Sequence, residues 1–162
     1  PPPPPTFSIR IRHTRCARWS RGLGDVYKTQ MVTRLSEMTS MPVDDLVQAF
    51  GKHLLNRFTE LYPVFFKEVD DTFSFLDTIE SHVHIEVLKL YPDAELPTFS
   101  IDHADGKTLI MSYKSTRPFA MLAKGLIKGA AEHFSEKISI EMVDLSNGEG
   151  NHARFELKKE AG

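Results

Sequence analysis

Tyr113, Ser115 and Arg117 stand two residues apart at the end of an alternating apolar stretch, 107–117. Strand side chains alternate between faces, so these three point the same way as Leu109 and Met111 in a strand. One face then runs from apolar side chains to two hydroxyls and a guanidinium. A guanidinium grips a carboxylate through two parallel N–H bonds, and hydroxyls add further donors. That is the chemistry of a clamp for a ligand with an apolar body and an acidic tail. The same spacing also describes a strand whose end simply emerges into water.

Two histidines, His82 and His84, lie upstream in a helical pattern. Residues two apart sit on different sides of a helix, so the pair does not easily share one metal ion. At helical spacing His84 falls with Phe73, Val87, Leu88 and Tyr91, and His82 falls nearer Phe75 and Ile79. Each can be read as an ordinary, partly buried histidine. The sharper reading is an axial imidazole ligand to an iron cofactor in an apolar pocket. Between helix and strand runs YPDAELPTF, 91–99. Its two prolines each fix their own φ, so the connection is stiff. It is either a plain helix-to-strand link or a rigid ledge beside His84.

These residues need elements to hold them. A short helix is expected over 32–40, stopped at the Met41-Pro42 step. Pro42 suits the start of the next helix, Asp44 and Asp45 suit its first turn, and apolar spacing carries it to Tyr62-Pro63. A second long helix is expected over 70–90, capped by Asp70 or Asp71 and ended by Tyr91-Pro92. Asp105-Gly106 marks a turn between β-like runs at 97–103 and 107–117, a hairpin. Pro118 permits a helix start, and Phe119, Leu122, Ala123, Leu126, Ile127, Ala130 and Phe134 form one apolar stripe. Two alternating stretches, 138–145 and 152–158, complete the pattern. The expected fold is α+β: helices packed on a four-stranded antiparallel sheet with a helix inserted.

At 162 residues, 41% hydrophobic and 26% charged, the chain has the size and composition of one folded domain and not of a disordered polymer. No apolar run approaches the length of a membrane span, and one cysteine, Cys16, excludes an intrachain disulfide or a Cys-rich metal site. No secretory signal is visible, so a cytoplasmic location is expected. The net charge of −2 hides two unlike parts. Residues 1–30 carry six basic side chains and one acid, five leading prolines, Cys16 and the single tryptophan, Trp19. Residues 31–162 carry the remaining 14 basic and 21 acidic side chains. The segment 1–30 is expected to be disordered or foreign to the fold, and its string RGLGDVYKTQ resembles translated adapter DNA. A basic arm for nucleic acid or anionic lipid is its other reading. Arginine without interleaved structure is weak support for that, so no nucleic-acid or membrane partner is expected.

The His84 helix, the YPDAELPTF connection and the Tyr-x-Ser-x-Arg strand, in this order, resemble the haem-nitric oxide/oxygen-binding (H-NOX, HNOB) family. The helix from Phe119 to Phe134 and the ISIEMVDL stretch resemble it too, so the likeness covers 31–162. The resemblance implies a haem b (iron protoporphyrin IX) cofactor with His84 as its iron ligand, in preference to His82. It implies that Tyr113, Ser115 and Arg117 clamp the haem propionates and that Pro97 packs on the porphyrin and distorts it. Family members begin with further helices over the distal face of the haem, and residues 1–30 do not resemble them. The domain is therefore expected to lack those helices.

Some family members place a tyrosine donor five residues after the clamp arginine, where this chain has Leu122. A leucine donates nothing to bound dioxygen, so a nitric oxide sensor that discriminates against dioxygen is expected, with carbon monoxide as a further ligand. The family implies signalling, not turnover: release of strain at His84 and Pro97 shifts the helix against the sheet. A separate protein reads that shift, a histidine kinase or a cyclic-di-GMP enzyme, since no catalytic domain follows residue 162. Two rivals stay open. One is a haem-free interaction module. The other is an acid–base enzyme using Tyr113, Ser115, Arg117 and a histidine.

Overall fold

The computed structural model describes residues 20–160. Residues 1–19 of the basic segment, with Cys16 and Trp19, lie outside the described residues. The chain divides into two units after Ser40. The first contains helix α1 (Ser20–Thr39), which begins well before the helix expected at 32–40. Gly22 and Gly24 are poor helix formers and no apolar stripe marks this stretch, so pattern alone stops short of it. Met31, Leu35 and Met38 are exposed. Ser40, at φ 56, takes the left-handed conformation that commonly ends a helix.

In the second unit, prolines and aspartates punctuate the helices as expected. Helix α2 (Val43–Leu61) follows Pro42 and carries Asp44 and Asp45 in its first turn. A single helical turn, α3 (Val64–Lys67), follows Pro63 and was not signalled by periodicity. Of the two candidate caps it is Asp71 that starts α4 (Thr72–Thr78), its side chain accepting from the Ser74 N–H at 2.7 Å. The long helix expected over 70–90 is there, but it is not uniform. A π-helical turn, Ile79–Val83, separates α4 from α5 (His84–Leu90).

The sheet has four antiparallel strands: β1 (Thr98–Ala104), β2 (Thr108–Lys114), β3 (Ile138–Asp144) and β4 (His152–Lys159), in the order β1-β2-β4-β3. Asp105 closes the first hairpin by accepting from the N–H groups of Lys107 and Thr108 at 2.8 and 2.6 Å. The pairing of β1 with β2 shifts register between Ile101 and His103. Leu109, Met111 and Tyr113 of β2 and Ala153, Phe155 and Leu157 of β4 are fully buried on one face of the two central strands. Phe99 pairs across with Tyr113, and Tyr113 with Ala153. Strand β2 stops at Lys114, not at 117. Ser115, Thr116 and Arg117 form the bend that follows, pinned where the Ser115 N–H donates to the Asn151 carbonyl at 2.8 Å.

The inserted helix α6 (Ala120–His133) crosses α2 at glycines. A Cβ on Gly51 would lie 2.5 Å from the Leu122 carbonyl oxygen, and one on Gly129 would lie 3.0 Å from the Leu55 Cβ. Only residues without a side chain allow backbones this near. Beside the crossing, Phe66 stacks on Phe75 with ring centroids 4.6 Å apart and touches Phe134 at 6.3 Å. A polar latch closes the far side. The Lys159 ammonium lies 2.9 Å from Asp71 and 2.7 Å from Glu136, and Glu136 also accepts from the N–H of fully buried Thr72 at 2.8 Å.

Candidate functional site

The π-turn decides where His84 looks. Its N–H reaches the Ile79 carbonyl, five residues back, so one residue is inserted into the helical repeat. The phase of the helix changes there. Just beyond it the His84 side chain is 13% exposed, whereas Leu88 and Tyr91, further along the same helix and at its end, are 42% and 63% exposed. His82 is exposed, with its Nδ1 2.8 Å from the hydroxyl of Ser81. The two histidines, alike in sequence, are therefore placed very differently.

Facing His84 is the first strand of the sheet. Its ring centroid lies 5.9 Å from that of Phe99, and Phe99 lies 5.4 Å from Tyr113. Glu80, one turn back, joins them: its Oε1 is 3.3 Å from His84 Nδ1 and accepts from the Phe99 N–H at 2.6 Å. Sequence reasoning passes over Glu80. A carboxylate four residues before a histidine on a helix was its one visible sign.

Tyr113 is 1% exposed, and its hydroxyl has no hydrogen-bond partner. Burial pushes the phenol pKa up. The Ser115 hydroxyl and Phe119 backbone, close to it but outside hydrogen-bond geometry, offset this in part. The Ser115 hydroxyl accepts from the Arg117 N–H at 3.1 Å. The Arg117 side chain is 32% exposed, its Nε 3.7 Å from an Oε2 of Glu95 that also accepts from the Thr116 hydroxyl at 3.3 Å. Glu95 belongs to the stiff connection 91–99, so that connection is tied to the bend after β2. Pro97, half-buried, immediately precedes β1 and Phe99. The structure thus links His84, Phe99 and Tyr113 in one chain of rings, and Arg117 with the Pro97 segment. Leu122 is placed on α6, half-buried, with its carbonyl against Gly51.

These residues fit a flat, acid-bearing macrocycle. A buried hydroxyl without a partner costs free energy until something accepts from it. The guanidinium of Arg117, four residues further on, is the natural counter-charge for a carboxylate. One imidazole with Nδ1 against a carboxylate leaves Nε2 for a metal, and a porphyrin brings its own four nitrogens. Among the described residues no three His, Cys, Asp or Glu side chains cluster as a metal site of their own.

A sequence model of the Haem-NO-binding (HNOB) family matches residues 21–142. The chain belongs to this family. Solved H-NOX proteins share its fold. The Fe(II) unliganded H-NOX protein from K. algicida is 32% identical with a TM-score of 0.78, over 83% of this chain and 72% of that one. The H-NOX from Shewanella woodyi in the Fe(II)CO state is 38% identical with a TM-score of 0.70, over 83% and 70%. The S. oneidensis H-NOX protein in the Fe(II)NO state is 28% identical with a TM-score of 0.73, over 80% and 72%. No curated protein matches the chain. Membership makes this H-NOX chain a haem-binding gas-sensor domain and not an enzyme, which removes the acid–base reading. No helix among the described residues is long and apolar enough to cross a membrane.

Proposed function

We propose that this H-NOX domain binds haem b with His84 as the iron ligand and senses nitric oxide. Haem supplies the iron at which a diatomic gas is held. His84, and not His82, presents the imidazole, because the π-turn shelters it against Phe99. Tyr113 and Ser115 donate to the acidic arms of the macrocycle and Arg117 neutralises them. Pro97, held in a stiff segment tied to Arg117 through Glu95, presses on its face. The observation that carries this reading is the Tyr113 hydroxyl, buried and unpartnered in the strand that leads to Arg117.

Leu122 offers no hydrogen bond to a bound gas. Dioxygen, which carries partial negative charge when bound, loses more from this than nitric oxide does. Carbon monoxide is the further ligand, as in the solved S. woodyi relative. The helix bearing His84 rests on β1 through Phe99 and Glu80, so a change in the pull on the imidazole reaches the sheet. As a switch, one of two packings must be favoured by about a few kcal/mol. The reader of that change is a separate effector protein, a histidine kinase or a cyclic-di-GMP enzyme, in the cytoplasm.

The test is an absorption spectrum of the reduced protein, with and without nitric oxide, for wild type, His84→Ala and His82→Ala. A Soret band is expected in wild type and His82→Ala, moving with nitric oxide and lost in His84→Ala. Loss in His82→Ala instead reverses the ligand assignment. No band after reconstitution leaves the haem-free interaction module. A stable oxygenated spectrum in air removes the discrimination assigned to Leu122.

A further inference from the structure

The geometry points to Glu80 as the residue that positions the His84 imidazole and couples it to the sheet. A single oxygen, Oε1, lies 3.3 Å from His84 Nδ1 and accepts from the Phe99 N–H at 2.6 Å. The bond from Phe99 holds that oxygen in place beside the ring. Glu80 sits in the π-turn, and its carboxylate is drawn toward β1 by a backbone donor 19 residues further along the chain.

A neutral imidazole carries one proton, and the nitrogen that bears it cannot bind a metal. A carboxylate beside Nδ1 favours the Nδ1–H tautomer and leaves the Nε2 lone pair free. The same contact raises the electron density that Nε2 offers. Because the accepting oxygen is bonded to β1, a change in the imidazole's pull is felt at Phe99 by a polar route as well as through the 5.9 Å ring contact. The metal-bound part of this inference rests on the function proposed above; the tautomer stands without it.

Glu80→Gln and Glu80→Ala are compared with wild type in two states. In the haem-free protein the ring 15N shifts of His84 report the tautomer. Wild type is expected as Nδ1–H. Glu80→Ala is expected to move population toward Nε2–H, and Glu80→Gln, which keeps an acceptor without the charge, to lie between. In reconstituted protein the iron–histidine stretching band is expected to fall in frequency and the ferric/ferrous potential to rise, in the order wild type, Gln, Ala. Unchanged 15N shifts and an unchanged stretching band in both variants overturn the inference, even where stability falls, and leave Glu80 as an anchor for β1 alone. If wild type takes up no haem, the proposed function fails, and the 15N comparison still decides whether Glu80 positions the ring.

Discussion

Gly125 of α6 lies so close to Gln48 of α2 that a Cβ at Gly125 would overlap the Gln48 carbonyl oxygen. Neither atom belongs to a flexible side chain, so the two helices must separate to admit a methyl group. Gly125→Ala is expected to destabilise the protein by about 3 kcal/mol, at the upper end of overpacking costs. Urea unfolding monitored by circular dichroism measures it. A change below about 0.5 kcal/mol, the usual range for surface substitutions, shows that the helices do not meet so tightly.

Acid stability is expected to depend on Asp71. Its pKa is lowered from 3.8 to about 2, first by the Ser74 N–H bond and then by Lys159, against an opposing effect of burial. A folded-state value below the unfolded one stabilises the fold above the unfolded value. That contribution fades as the pH falls from about 3.8 toward 2. Asn at this position still caps a helix, so Asp71→Asn isolates the charge. The pair is partly exposed, so the loss at neutral pH is expected to stay under about 1 kcal/mol. The stability curve of the variant is expected to be flatter between pH 4 and 2, measured by thermal unfolding across that window. Some slope remains from Glu136, which burial raises but its bonds to Lys159 and Thr72 lower overall.

Tyr113→Phe separates folding from ligand retention. The hydroxyl it removes has no partner, so the haem-free variant is expected to match wild type or exceed it by up to about 1 kcal/mol. If the hydroxyl serves a propionate, haem transfer to an acceptor globin speeds by about tenfold, the worth of one hydrogen bond to a charged group. A strongly destabilised haem-free variant means that the hydroxyl is satisfied within the fold.

Glu95 stands in the way of any acid that Arg117 is to hold. Its carboxylate lies 3.7 Å from the Arg117 Nε, and both side chains are partly exposed. Glu95→Gln is expected to change stability by less than about 1 kcal/mol, as exposed pairs do. Without the competing charge, haem release is expected to slow several-fold. Faster release shows instead that Glu95 orients the guanidinium, and stopped-flow transfer to an acceptor globin distinguishes the two.

Much of this molecule is legible along the chain. Pro42, Pro63 and Pro92 mark helix boundaries because proline constrains itself and the residue before it. Asp105-Gly106 marks the hairpin, and alternation locates all four strands. The order in which the strands pair, β1-β2-β4-β3, is not a local property and is visible only in the sheet. The bend after Lys114 is likewise set from outside, by the Asn151 carbonyl that takes the Ser115 N–H. The first half of helix α1 carries Gly22 and Gly24 and no apolar stripe in its sequence, so periodicity does not detect it.

Residue types and spacing alone determined that this chain carries a helix with two histidines, a connection stiffened by two prolines and a Tyr-x-Ser-x-Arg run that begins in a strand, in that order. Those are local facts, written in neighbouring residues. Which histidine is sheltered, and what stands beside it, was decided only by the tertiary structure. An extra residue in a helix leaves no mark on composition, so the π-turn that turns His84 toward Phe99 cannot be counted from the sequence. The Glu80 oxygen and the Phe99 N–H meet across 19 residues, and the Tyr113 hydroxyl loses its partners only when the sheet and helices close over it. Burial and long-range contact are properties of the packed chain, and the chemistry of this site depends on both.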